Sequence, residues 1–273
     1  MHKNMVTRIL ARVKKELSFS ANGQTLSRIK GEGFDFAELV PYVEGMDARK
    51  IHWNSLAKGG ELQLKSFYEE RRVNVVVAVL LSGSQRFGEP VEKYEKMLEA
   101  AAFTALSAVR SGNLFQGIGF SEKGDIYMPP SRSAAAADKF VTSLAAVDPL
   151  YTTIDPVRTV EALFQVVRQK SLIFLISDFL EMYDLKRLAR KHEVAALIVR
   201  DRFENDPHAL GDVLLQDPET GLETELWFDR KSAEAYANAY KKHDETLLNH
   251  FRSCGVSWDY IYTDKSVVSS LSL

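Results

Sequence analysis

The sequence predicts an α/β protein built on a doubly wound, mainly parallel sheet, with a small irregular segment, residues 1–72, ahead of it. Three observations carry this. From Val73 onward, short apolar runs alternate with stretches of helical period. The runs "VNVVVAVLL", "SLIFLISDF" and "EVAALIVRD" read as buried strands, each leaving through polar residues. Before Val73 the pattern changes, because "GEGFDFAELVPYVEGMDARKIHWNSLAKGGELQLKSFYEERR" is dense in glycine, aromatics and charge without a period. The chain is therefore divided into 1–72 and 73–273.

The elements follow in order. Met5 to Leu17 has the spacing of a short basic amphipathic helix. Val73 to Leu81 is the first buried strand, and Pro90 opens the helix that runs to Gly112. "LFQGIGF" and "DIYMPP", joined by "SEKG", form an antiparallel pair. "SAAAADKFVTSLAAV" is helical and stops at Asp148-Pro149, where the residue before proline is pushed out of the helical region. Asp155-Pro156 starts another helix: the carboxylate accepts first-turn N–H groups, and the proline has none to lose. Ser171–Phe179 and Glu193–Asp201 are strands, with a helix from about Leu180 to His192 between them. "DVLLQDPETGLETELWF" is a hairpin around Asp217–Gly221. The next helix aligns Ala233, Tyr236, Ala237, Tyr240, Leu247 and Phe251 and ends near Gly255, before a last strand, "VSWDYIYTD". The sheet should hold five or six strands.

Composition removes several functions. A net charge of -2 over 273 residues argues against a general nucleic-acid binder. Residues 1–72 hold 13 Lys+Arg against 9 Asp+Glu, an asymmetry that suits either docking or a solvated face. Cys254 is the one cysteine, and no two histidines stand in H-x-x-x-H spacing, so disulfides and His- or Cys-built metal cages have no support. The longest unbroken apolar run, Val75 to Leu81, is seven residues, too short to span a bilayer, and the N-terminus is polar. A reduced, cytoplasmic, soluble protein without membrane partners is the expectation.

In a doubly wound sheet the binding crevice lies at the carboxyl ends of the strands. Ser82-Gly83-Ser84 and Asp178 both emerge at that edge, so the fold brings them together from distant sequence. Hydroxyls and a carboxylate there suit a cation or phosphate. The structural alternatives are a plain strand-to-helix turn for the serines and a helix cap for Asp178.

The irregular segment carries the most identifiable pattern: Gly31, Gly33, Asp35, Phe36, Leu39, Tyr42, Gly45, Arg49, Ile51, Trp53, Ser55 and Ala57. At this spacing it resembles the bacterial family labelled domain of unknown function 58, associated with MoxR-type AAA+ ATPases. Asp35, Met46, Leu56 and Lys58 depart from the family pattern. "LIFLISDF", "LIVRDRFE" and "DPETG" are similar to later family segments, so the resemblance covers nearly the whole chain.

The resemblance implies a von Willebrand factor A-like, Rossmann-type domain, often bearing a metal-ion-dependent adhesion site. There a D-x-S-x-S turn, a Thr and a second Asp hold Mg²⁺ or Mn²⁺, and a partner carboxylate completes the shell. Ser82, Ser84 and Asp178 match three of these positions; Thr153 matches the threonine, with Thr152 the alternative. The first aspartate is missing, because Leu80 stands there, so the site is degenerate; Asp155 is the candidate replacement carboxylate. Mg²⁺ needs oxygen ligands and carboxylate charge, so no cofactor is the expectation, with Mg²⁺ or Mn²⁺ the ion such a site would take. The expected function is a non-catalytic interaction module, adaptor or chaperone partner of a MoxR-type AAA+ ATPase. The alternatives are a metal-assisted hydrolase or phosphate-binding enzyme, which no P-loop, G-x-S-x-G or HExxH supports, and a partner surface on the basic segment near Arg71 and Arg72.

Overall fold

A computed structural model describes residues 2–19, 39–41, 63–65 and 73–271. It divides into two compact units, one of Met1–Thr25 with Val73–Leu273 and one of Leu26–Arg72. In the smaller unit β1 (Leu39–Pro41) pairs antiparallel with β2 (Gln63–Lys65).

The larger unit is organised by a six-stranded sheet. Its strands are β3 (Asn74–Leu81), β4 (Leu114–Ser121), β5 (Ile126–Ser131), β6 (Leu172–Ser177), β7 (Glu193–Arg200) and β10 (Ser257–Tyr262), in spatial order β10-β7-β6-β3-β4-β5. All neighbours are parallel except β4 and β5. Counted along the chain this is the 3-2-1-4-5-6 order of doubly wound sheets, and the order reverses between β3 and β6.

Helices cover both faces. On one lie α4 (Pro156–Val166), α5 (Lys186–Lys191) and α7 (Arg230–Cys254), whose Leu163, Leu188, Leu247 and Phe251 pack with Val76, Ala78 and Leu80 of β3. On the other lies α2 (Lys93–Arg110), its inner side made of small residues such as Ala101, Ala105 and Ala108 that let it sit close to the strands. α3 (Ala134–Ala145) lies beside α2 on the same face, its Phe140 and Leu144 against Gly117 and Gly119 of β4, and α1 (His2–Phe19) packs on α2 and α3. On α1 the residues Val6, Ile9, Val13 and Leu17 are buried, each worth on the order of 1.5–3 kcal/mol. Its polar flank adds the ion pairs Arg8–Glu95 at 3.2 Å and Lys14–Asp138 at 2.6 Å.

Local signals explain most boundaries. Asp155 caps α4 through the N–H groups of Val157 and Arg158, and Pro156 follows it. Gly255 ends α7 at φ 72°, a left-handed turn without cost to glycine. The hairpin forms as read, β8 (Gly211–Gln216) against β9 (Glu223–Phe228). Two expectations are corrected. Pro90 lies ahead of α2, in a cis peptide with Glu89, and the helix starts at Lys93. The helix expected from Leu180 to His192 shrinks to Lys186–Lys191. Phe179 there is left-handed at φ 50°, and Phe179 and Tyr183 are drawn into the core edge-to-face, 5.9 Å apart, so burial overrides helix propensity.

Candidate functional site

Ser82 follows β3, Asp178 follows β6 and Asp201 follows β7, so the carboxyl edge gathers them at the point where strand order reverses. Residues Gly83–Gln85 make one 3₁₀ turn. The wholly buried Gln85 folds it back by donating from its amide to the Leu80 carbonyl. The two serine hydroxyls lie 2.9 Å apart, and Ser84 donates to Asp178 Oδ2 at 2.7 Å.

Lys93, the first residue of α2, completes the cluster. Its Nζ donates to Asp178 Oδ2 at 3.0 Å and to Glu204 Oε1 at 2.6 Å, and all three side chains are almost fully buried. Burial alone would lower the Lys93 pKa, but Asp178 and Glu204 outweigh it and hold the ammonium above its usual range. Burial would likewise raise the Asp178 pKa, yet Lys93 and the Ser84 hydroxyl hold it below the ordinary carboxylate value. Glu204 is fixed by a capping box with Asp201 at the start of α6 (Arg202–Asn205). The buried Arg200 donates to the Asp178 carbonyl and, at 2.7 Å, to Asp244 Oδ1. Asp178 is thus a bridging anion, not a helix cap: α5 begins at Lys186, with Leu185 at its cap position.

The hairpin turn lies on this cluster. A Cβ at Gly83 would stand 2.0 Å from the Pro218 carbonyl oxygen, so only glycine admits the approach. The Tyr151 N–H donates to the same carbonyl at 2.8 Å. The Ser82 hydroxyl and the Ser84 N–H favour the charged form of the Glu219 carboxyl, but they do not prevail. Its pKa is raised, chiefly by burial, with the charges of Asp178 and Glu181 adding to the effect.

The expected residues are partly united. Ser82, Ser84 and Asp178 meet. Thr153 is exposed, and its N–H donates to Glu122 Oε2 at 2.9 Å; Thr152 lies nearer, its carbonyl accepting from the Gly83 N–H at 2.8 Å. Asp155 is engaged in capping α4 and brings no carboxylate to the cluster. Gly31, Gly33, Tyr42, Arg49, Trp53 and Ser55 fall outside the described residues.

As arranged, the donor set does not suit Mg²⁺ or Mn²⁺. Leu80, in place of the first aspartate, is wholly buried in the apolar cluster with Phe179. The Asp178 oxygen that an ion would need is shared by an ammonium and a hydroxyl proton. A divalent cation there would stand against the Lys93 ammonium and would have to displace it from Asp178 Oδ2. Among the described residues, no group of three or more His, Cys, Asp or Glu side chains is placed to hold a metal ion.

A family model described as "Protein of unknown function DUF58" matches residues 38–246. The chain belongs to that family. An uncharacterized protein of Mycobacterium bovis is 25% identical over 266 residues, covering 95% of this DUF58 chain and 84% of the relative. One from Mycobacterium avium is 31% identical over 121 residues, covering 43% of this chain and 72% of the relative. Among solved structures, the conserved hypothetical protein BatB from Bacteroides thetaiotaomicron has a TM-score of 0.42 at 16% identity, over 72% of this chain and 93% of that one. The SpRpn10 VWA domain has a TM-score of 0.36 at 10% identity, over 73% and 93% of the two chains. Nothing about function follows from either likeness.

Sequence reasoning passed over Lys93, Arg200, Glu204 and Glu219. Only Glu204 had a local signal, the D-x-x-E of its capping box in "RDRFE". Lys93 reads as one more charged residue of an amphipathic helix.

Proposed function

We propose that the chain is a non-catalytic protein-interaction module that acts with a MoxR-type AAA+ ATPase as adaptor or chaperone partner, without a metal ion. The observation supporting this is the Lys93–Asp178–Ser84 contact. The strand-edge polar groups are spent on holding β3, β6, β7 and α2 together, with an internal ammonium paired to the aspartate that matches the adhesion-site pattern. Groups tied to one another and covered by the hairpin turn make a firm scaffold and a poor nucleophile or base. The ATPase partnership rests on the family resemblance. No helix among the described residues is long and apolar enough to cross a membrane.

The test is affinity purification of the tagged chain from its native lysate, in Mg²⁺ and in EDTA with nucleotide held constant, read by mass spectrometry. The captured ATPase is then purified and titrated directly. Retention of a MoxR-type ATPase in both conditions is the expected result. Retention only with Mg²⁺ would overturn the metal-free part, once the isolated ATPase is shown to keep its own assembly in EDTA. Absence of any such ATPase would overturn the partnership.

A further inference from the structure

The hairpin β8–β9 is a two-stranded ribbon that joins no other strand among the described residues. Residues Gly211–Asp229 contain six carboxylates, Asp212, Asp217, Glu219, Glu223, Glu225 and Asp229, and no Lys or Arg. Three of these are used locally. Asp217 holds the turn by accepting from the Glu219 N–H and the Thr220 hydroxyl, Glu219 lies on the serine turn, and Asp229 caps α7.

Register sorts the rest. Side chains two apart share a face, and directly paired residues share it across the strands. The pairs Gly211–Phe228 and Val213–Leu226 point inward, where Phe228 is buried against Phe203 and Tyr236. The pairs Asp212–Trp227, Leu214–Glu225 and Gln216–Glu223 form the other face. There Trp227 is 63% exposed and Leu214 is 58% exposed. Asp212, Glu223 and Glu225 stand exposed around them and enter no ion pair among the described residues.

We propose that this outward face is a docking surface for a protein whose complementary patch is basic around an apolar pocket that takes the Trp227 indole. A solvated indole beside a solvated leucine, ringed by carboxylates without an ion pair among the described residues, has the composition of an interface anchor with a steering rim. The sign of the rim chooses the partner class. Phosphate backbones and anionic lipid surfaces are repelled by it, whereas a Lys/Arg-rich protein face is drawn to it. The inference goes beyond the preceding reading, since it names a surface and does not require the partner to be an ATPase.

The experiment places a photo-crosslinking p-benzoylphenylalanine at Leu214 in the full chain and, as control, at Tyr127, which is 55% exposed on β5. Each protein is irradiated in lysate of the organism that encodes it, and the crosslinked peptide is sequenced. The expected result is an adduct from Leu214 and none from Tyr127, with the attached peptide carrying Lys or Arg beside apolar residues. The yield should fall about 10-fold or more with Trp227→Ala. It should also fall with Glu225→Lys and with added salt, both of which weaken the rim. Both substitutions lie on the solvent face, and unchanged circular dichroism establishes that the fold is kept. The proposal is overturned by no adduct, by an acidic or neutral contact peptide, by a peptide from a second copy of this chain, or by a yield indifferent to Trp227→Ala and Glu225→Lys. None of these outcomes depends on whether a MoxR-type ATPase is captured by the tagged chain.

Discussion

Replacing Lys93 with methionine, which keeps the unbranched stem as far as Cε and removes the ammonium, tests the strand-edge cluster directly. In the native protein one ammonium serves two carboxylates, Asp178 at 3.0 Å and Glu204 at 2.6 Å. After the substitution Asp178 keeps the Ser84 hydroxyl, and Glu204 keeps the Tyr240 hydroxyl and the Asp201 N–H. Those hydrogen bonds satisfy oxygens but supply no counter-charge, and the remaining cation, Arg200, acts on Asp178 and Glu204 while ion-paired with Asp244. Breaking a buried pair from one side costs about 3–5 kcal/mol. At roughly 2–4 °C per kcal/mol for a domain of this size, the expected loss in Tm is about 6–20 °C.

Thermal and urea unfolding measure that loss, and the pH dependence gives it a signature. Asp178 has a lowered folded pKa, so its contribution is present above the unfolded aspartate value near ~3.9 and is lost as pH falls through the folded one. Lys93 has a raised folded pKa, so its contribution is present below the unfolded lysine value near ~10.4 and is lost as pH rises through the folded one. The gap between native and Lys93→Met proteins should therefore be widest near neutrality and narrow toward acid, where the stranded carboxylates take up protons. Adding Asp178→Asn and Glu204→Gln should recover much of the loss. A penalty under about 1 kcal/mol, or one that does not shrink toward acid, refutes the reasoning.

Three further outcomes are expected. Gly83→Ala drives a Cβ into the Pro218 main chain, so the hairpin turn must lift; hydrogen exchange at the Tyr151 N–H should accelerate and stability fall by about 1–3 kcal/mol. Glu219→Gln removes a half-buried carboxylate whose folded pKa is raised, so it should stabilise the protein at pH 7 by under about 1 kcal/mol, with the difference vanishing as native Glu219 protonates in acid. Mg²⁺ or Mn²⁺ in millimolar amounts should leave Tm unchanged; a saturable rise that Asp178→Asn abolishes would show a working ion site.

The fold was legible wherever a local rule and the global pattern agree. The apolar run at Val75–Leu81, the Asp155-Pro156 start, the Asp217–Gly221 turn and the Gly255 stop each place an element correctly, because each depends on a few adjacent residues. The stretch from Asp178 to Leu185 misled because its conformation is set by where Phe179 and Tyr183 find burial, a fact about the assembled core. The cluster was half legible for the same reason. Ser82, Ser84 and Asp178 follow from strand topology alone. The ammonium that joins them comes from a helix lying across the sheet, and neither its burial nor its partners leave a trace in the residues beside Lys93.

The three-way contact of Lys93, Asp178 and Glu204 also constrains how related chains can differ. Each partner lies in a separate stretch of sequence, and a change in any one leaves a buried charge behind in the others. Substitution must then run through a damaged intermediate or occur in step. Relatives should accordingly sort into two self-consistent states. One keeps lysine with an apolar residue at the position of Leu80; the other regains aspartate there and gives up the ammonium. Chains mixing the two, with an aspartate at that position and a retained lysine, would bury a carboxylate in the apolar cluster with Phe179 and should be rarer. Related chains compared at these positions alone would show whether the lysine and its two acids change together.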